Sequence, residues 1–195
     1  MRIDLRSFEE MKPLIRSRLL SSEWHKIDDL AKRNIAGDVW LTFYVKINDE
    51  ATWSITYALL EEWQIDMNTL EEVAMENERG TASVRRMSDV LQMYLDTPPW
   101  EDPSDLYVIS RDGAYGANAL LDPEIQRKID AVFPEGAFVI MSSIHEMLCL
   151  SVSTIDPNHL CEMVRTINRS DVLQTGEVLS DHVYLYEHGT LTVAA

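Results

Sequence analysis

The stretch Phe138–Ser151 constrains this chain more than any other. Apolar, partly β-branched runs predict strands over 137–141 and 146–152. Between them stands a polar interruption, Ser142-Ser-Ile-His-Glu146. Polar groups that lose water without gaining a partner cost free energy, so this cluster needs a structural or a chemical reason. If 142–150 is one extended strand, Ser143, His145, Met147 and Cys149 share one face. Ile144, Glu146, Leu148 and Leu150 share the other. His145 and Glu146 then point apart, while Ser143 and His145 lie side by side.

The rest of the chain reads as strands in pairs with helices between them. Ser7 is placed to cap a helix bearing Phe8, Met11, Leu14, Ile15 and Leu19 on one face, kinked or restarted by Pro13. A second helix is expected over 22–34, ended by Gly37. Residues 39–47 read as a buried strand that turns at Asn48-Asp-Glu50 and returns as a hairpin over 51–57. Short helices follow around 58–63 and from a capping box at Asn68-Thr-Leu-Glu71. A further helix is expected over 83–94. After the loop Pro98–Pro103, strands at 106–110 and 116–121 form a hairpin about Asp112-Gly113. Asp122-Pro123 and Pro157 open two more helices, Asn168 fits a left-handed C-terminal cap, and strands at 183–187 and 190–193 close the chain. This pattern indicates an α+β fold with an antiparallel or mixed sheet flanked by helices. The expected organisation is a helical N-terminal segment, 1–36, followed by a single α+β domain, 37–195.

Charge narrows the function classes. The formal net charge is -16 over 195 residues, unevenly spread. Residues 1–46 hold nine Lys/Arg against seven Asp/Glu, whereas residues 47–195 hold eight against twenty-six. Between Ile47 and Glu78 there are nine acids and no Lys or Arg. Such a field disfavours direct contact with a phosphate backbone and attracts basic protein surfaces. No apolar run approaches the roughly 20 residues that span a bilayer, and the N-terminus lacks the apolar core of a secretory signal. Cys149 and Cys161 are therefore expected as reduced thiols in a cytoplasmic protein. No metal site and no cofactor is expected, since CxxC pairs, helical His spacing and phosphate-binding glycine loops are all missing.

Several short motifs occur in a fixed order. They are Leu106-Tyr-Val-Ile-Ser110, Gly116-Ala117, Leu120-Leu121, Ser142-Ser-Ile-His-Glu146, Met163-Val164 with Ile167-Asn168, and Glu177-Val-Leu-Ser-Asp-His-Val-Tyr-Leu-Tyr186. Together they resemble an uncharacterised clostridial family, domain of unknown function 5688, over roughly 39–186. The resemblance implies a fold unit and a bacterial origin, and it implies no reaction. The chain departs from the family pattern at Met141, where proline is usual, and at Arg111, where asparagine is usual. Many members also carry a longer N-terminal half, in place of which this chain has some 38 residues that are expected to be mostly helical.

Two functions are in view. The first is a non-enzymatic acidic interaction protein that occupies the nucleic-acid-binding surface of a basic partner, as an inhibitor of a defence nuclease would. Its candidate contact residues are Asp49, Glu50, Glu61, Glu62, Asp66, Glu71, Glu72 and Glu76, with Trp100, Glu101 and Asp102 as a second, loop-borne group. Trp100, set between prolines and acids, is a candidate anchor. The second is a small hydrolase-like enzyme in which Ser143 or Ser142 is the nucleophile and His145 the base, oriented by Asp181 or Glu177. Against the second stands the structural reading, in which the serines tie a turn and His145 bonds backbone. The partner's identity and the oligomeric state are left open by the sequence.

Overall fold

The computed structural model describes residues 7–24, 27–95, 105–170 and 176–195. Trp100, Glu101 and Asp102 lie outside the described residues. The chain divides into two compact units, residues 1–81 and 82–195. Each carries its own antiparallel sheet, so the fold is α+β.

In the first unit Ser7 Oγ accepts the Glu10 N–H (3.4 Å) and starts α1, Phe8–Met11. Pro13 then sits in a 3-10 turn, Lys12–Leu14. The helix does not continue to Leu19. Residues Ile15–Ser21 form strand β1, and Lys32–Ala36 form β2 where a helix was expected. The reason is a degeneracy of spacing: residues four apart share a face in a helix and also in a strand. Ile15 and Leu19 therefore satisfied either reading, and tertiary pairing decided. The central strand β3, Val39–Lys46, pairs antiparallel with β1 (Ser17 opposite Phe43) and with β2 (Arg33 opposite Leu41). Gly37, at φ 49°, turns the β2–β3 hairpin instead of ending a helix. Strand β4, Thr52–Ser54, pairs with the end of β3 through the expected Asn48 turn.

Helix α2, Tyr57–Trp63, is capped by Thr56, and α3, Met67–Glu78, by Asp66. The cap precedes the expected Asn68 box by two residues: Asp66 Oδ1 takes the Thr69 N–H at 2.8 Å. The last turn of α3 seals the free edge of β1. Asn77 Nδ2 donates to Ile15 O (2.9 Å), while Glu78 Oε1 accepts the Ser17 N–H (2.9 Å) and Oε2 the Ser17 hydroxyl (2.7 Å). Side chains thus supply the bonds that a further strand would make.

The second unit is a six-stranded sheet in the order β10-β9-β7-β8-β6-β5. Its strands are β5 Ala82–Arg86, β6 Tyr107–Arg111, β7 Ala137–Ile140, β8 Glu146–Ser151, β9 Val183–Glu187 and β10 Thr190–Val193. Helix α4, Met87–Leu95, starts four residues later than expected because β5 pairs with β6 first. Residues Gly116–Leu121 form a 3-10 turn and not the second strand of a hairpin, because β6 pairs with β8 instead. Helices α5, Pro123–Val132, and α6, Pro157–Asn168, begin on Asp122 and Asp156 caps with proline in the first turn. Asn168 is the last residue of α6 and no left-handed cap. The continuous apolar reading of β7 is explained by burial on both faces. Phe138, Leu150 and Val183 pack with Leu160, Cys161 and Val164 of α6. Val139, Cys149 and Tyr184 are buried on the alternate face. No helix among the described residues is long and apolar enough to cross a membrane.

Candidate functional site

Strand β8 begins only at Glu146, so 142–145 is a connection and not part of an extended strand. That connection is held from two sides. On one side lies the segment 177–180. Ser143 bridges Val178, Ile144 N–H donates to Glu177 O (3.0 Å), and Leu179 N–H donates to Ser142 O (3.1 Å). On the other side, Ala117 N–H donates to Ile144 O (3.3 Å). Gly116 is pressed so close that a Cβ there would lie 2.4 Å from His145 O and 2.6 Å from Arg111 N. Only glycine fits such an approach.

These bonds bring three side chains together. His145 Nε2 lies 3.4 Å from Glu177 Oε1, at the long limit of a hydrogen bond. Its ring stacks on Tyr115 with centroids 6.2 Å apart and planes 16° from parallel. Tyr115 holds the left-handed backbone region at φ 66°, a strained position for an aromatic residue. The His145 side chain is 42% exposed and that of Glu177 28%. A carboxylate on Nε2 favours the tautomer with hydrogen there and leaves Nδ1 as the proton acceptor.

The serines are arranged differently. Ser143 is buried, and its Oγ accepts the backbone N–H of His145 at 3.1 Å. The hydroxyl serves the turn, while the ring faces Glu177. Asp181 is engaged elsewhere: its carboxylate accepts Asn168 Nδ2 (2.8 Å) and its carbonyl takes the Cys161 thiol (3.3 Å). The structure therefore joins His145 to Glu177 and leaves Ser142, Ser143 and Asp181 off the ring. Glu146 is exposed and opens strand β8. The sequence marks Tyr115 only by its place in the turn-rich Asp-Gly-Ala-Tyr-Gly segment.

A model of one family matches residues 2–188. The chain belongs to DUF5688, a family of unknown function. The matched residues begin at Arg2 and so include β1 and β2. No curated protein and no solved structure matches the chain.

The acidic candidates from Asp49 to Glu76 of this DUF5688 chain lie in the first unit. Glu50, Glu61, Glu62, Asp66, Glu72 and Glu76 are exposed. Several have local work. Asp49 pairs with Lys46 (2.9 Å), which holds its carboxyl below the usual range. Glu71 pairs with Arg33 (2.8 Å), and Glu76 with Arg79. Asp66 caps α3, and the Thr69 N–H lowers its pKa. Glu72 and Glu76, four apart on α3, share one face. Among the described residues, no group of three or more His, Cys, Asp or Glu is placed to hold a metal ion.

Proposed function

We propose that this DUF5688 chain is a non-enzymatic interaction protein whose first unit presents acids of α2, α3 and the β3–β4 turn to a basic, nucleic-acid-binding protein. The observation that carries this reading is the exposure of Glu50, Glu61 and Glu72 within a stretch, 47–78, that has no Lys or Arg. Carboxylates at such density imitate the charge of a phosphate backbone and steer a basic partner at long range. A cytoplasmic setting and a role as a mobile-element inhibitor of a defence protein accord with that chemistry.

The test is a pull-down from host lysate with wild type and with E50Q/E61Q/E72Q. Asp66 and Glu71 are left intact because they hold the α3 cap and Arg33. The expected result is capture of a basic nucleic-acid-binding protein that salt releases, DNA or RNA competes away, and the triple variant binds several-fold more weakly. Equal capture by the variant overturns the reading.

A hydrolase-like alternative draws support from Glu177 beside a half-exposed His145. The turn-bound Ser143 opposes it. An active-serine probe that labels Ser143 in wild type and not in H145A would favour this alternative; absence of labelling removes it.

A further inference from the structure

The sheet edges of this chain are not protected alike. Strand edges carry unpaired N–H and C=O groups and invite another strand unless charge, bulges or covering groups prevent it. The outer edge of β1 is bonded by Asn77 and Glu78. Strand β2 carries Lys32 and Arg33, and β5 carries Arg85 and Arg86. Strand β10, Thr190-Leu-Thr-Val193, has no charge and no proline.

The turn that precedes β10 determines which of its groups face outward. His188 (φ 46°) and Gly189 (φ 82°) are both left-handed, as a two-residue type I′ hairpin requires. In such a hairpin the flanking residues, Glu187 and Thr190, form a hydrogen-bonded pair, and bonded and non-bonded pairs alternate from there. Thr190 and Thr192 therefore bond to β9, and Ala194 resumes the ladder by donating to Val183 O at 2.8 Å. Leu191 and Val193 direct their N–H and C=O away from the sheet. Among the described residues neither backbone has another partner. Val193 is 45% exposed.

We infer that β10 is a self-association edge that pairs antiparallel with β10 of a second copy. The pattern is self-complementary. A two-fold axis through Thr192 sets Leu191 opposite Val193 of the second copy and the reverse, so that all four outward-facing residues exchange hydrogen bonds. The two Thr192 side chains meet as a non-hydrogen-bonded pair, a favourable cross-strand match. Glu187 falls outside the overlap, so no like charges oppose one another in the register. The two six-stranded sheets become one continuous sheet. The overlap is short and each chain carries -16, so the dimer is weak and strengthens with salt as repulsion is screened. That salt response is opposite in sign to the one expected for the acidic face of the first unit.

Sedimentation equilibrium over a wide concentration range, at low and high salt, tests this. The weight-average mass of wild type should rise from 22.4 kDa toward twice that value, and rise further in salt. V193P removes one outward N–H without touching a bond to β9. T192K sets two lysines face to face on an exposed position while lowering the net negative charge, so general repulsion cannot account for its effect. Both variants should stay monomeric with unchanged far-ultraviolet circular dichroism. If V193P fails to fold, T192K decides. A wild type that is monomeric throughout, or a T192K chain that dimerises as wild type does, overturns the inference.

Discussion

Glu78 offers the sharpest test of how the first unit is held together. The residue is 5% exposed, and its carboxylate accepts two donors from Ser17, itself 7% exposed. Hydrogen bonds to a charged acceptor contribute about 1.5–3 kcal/mol each, so Glu78→Ala removes about 3–6 kcal/mol of interaction. Part of this returns, because the carboxylate no longer has to be desolvated and water can enter the vacated space. The net expected loss is about 3 kcal/mol. Glu78→Gln keeps the shape: its amide oxygen can still take the Ser17 N–H, and the hydroxyl can reverse to accept from the amide. Its expected cost is about 1–2 kcal/mol. Ser17→Ala removes the hydroxyl bond alone and should cost a similar amount. In a double-mutant cycle the Ser17 and Glu78 effects should couple rather than add. Urea unfolding followed by tryptophan fluorescence suits this test, because Trp24, Trp40, Trp53 and Trp63 lie in residues 1–81 and only Trp100 lies beyond. A Glu78→Ala loss below about 1 kcal/mol, or strict additivity with Ser17→Ala, would refute the edge-sealing role.

Gly116→Ala should destabilise the second unit by about 2–4 kcal/mol, because the new methyl meets backbone of His145 and Arg111 that must shift; thermal unfolding by circular dichroism checks it, and a neutral result would contradict the tight approach. Asp66 has a folded-state pKa lowered below 3.8. The stability that it adds relative to Asp66→Ala is therefore present above that value and lost as the pH falls through the folded-state pKa; paired unfolding curves across that range show the convergence. Burial pushes the Cys149 thiol up, and Cys161 is buried as well. A thiol reagent should label neither cysteine in the native protein and both once the second unit unfolds; fast native labelling would count against that packing. Burial raises the Tyr186 phenol to about 12. Its neutral form therefore contributes stability that is complete below the ordinary value of 10.0 and lost as the pH rises toward the folded-state value, visible as alkaline unfolding that Tyr186→Phe moderates.

Much of this protein could be read from local chemistry. The strands β3, β7, β8, β9 and β10 and the helices opened by Asp122-Pro123 and Asp156-Pro157 follow from β-branched runs and capping residues, and these act over a few positions. The α+β class follows from their order. The single extended strand expected over 142–150 was not formed, because 142–145 bonds to 177–180 and to Ala117 before β8 begins at Glu146. Glu177 was visible only as one of two candidate carboxylates; the backbone bonds between 141–144 and 177–180 chose it over Asp181.

Tertiary structure decided what depends on partners distant in sequence. The Ile15/Leu19 spacing fits a helix or a strand, and pairing with β3 settled it. Gly116–Leu121 lost its expected hairpin because β6 found β8 across the intervening helix α5. No local signal marked Glu78 as the buried acceptor for a backbone 61 residues away, nor Tyr115 as the ring beneath His145. Composition and local propensity determined the elements and the charge; long-range pairing of backbone groups, which must be satisfied once buried, determined which elements met and which side chains met with them.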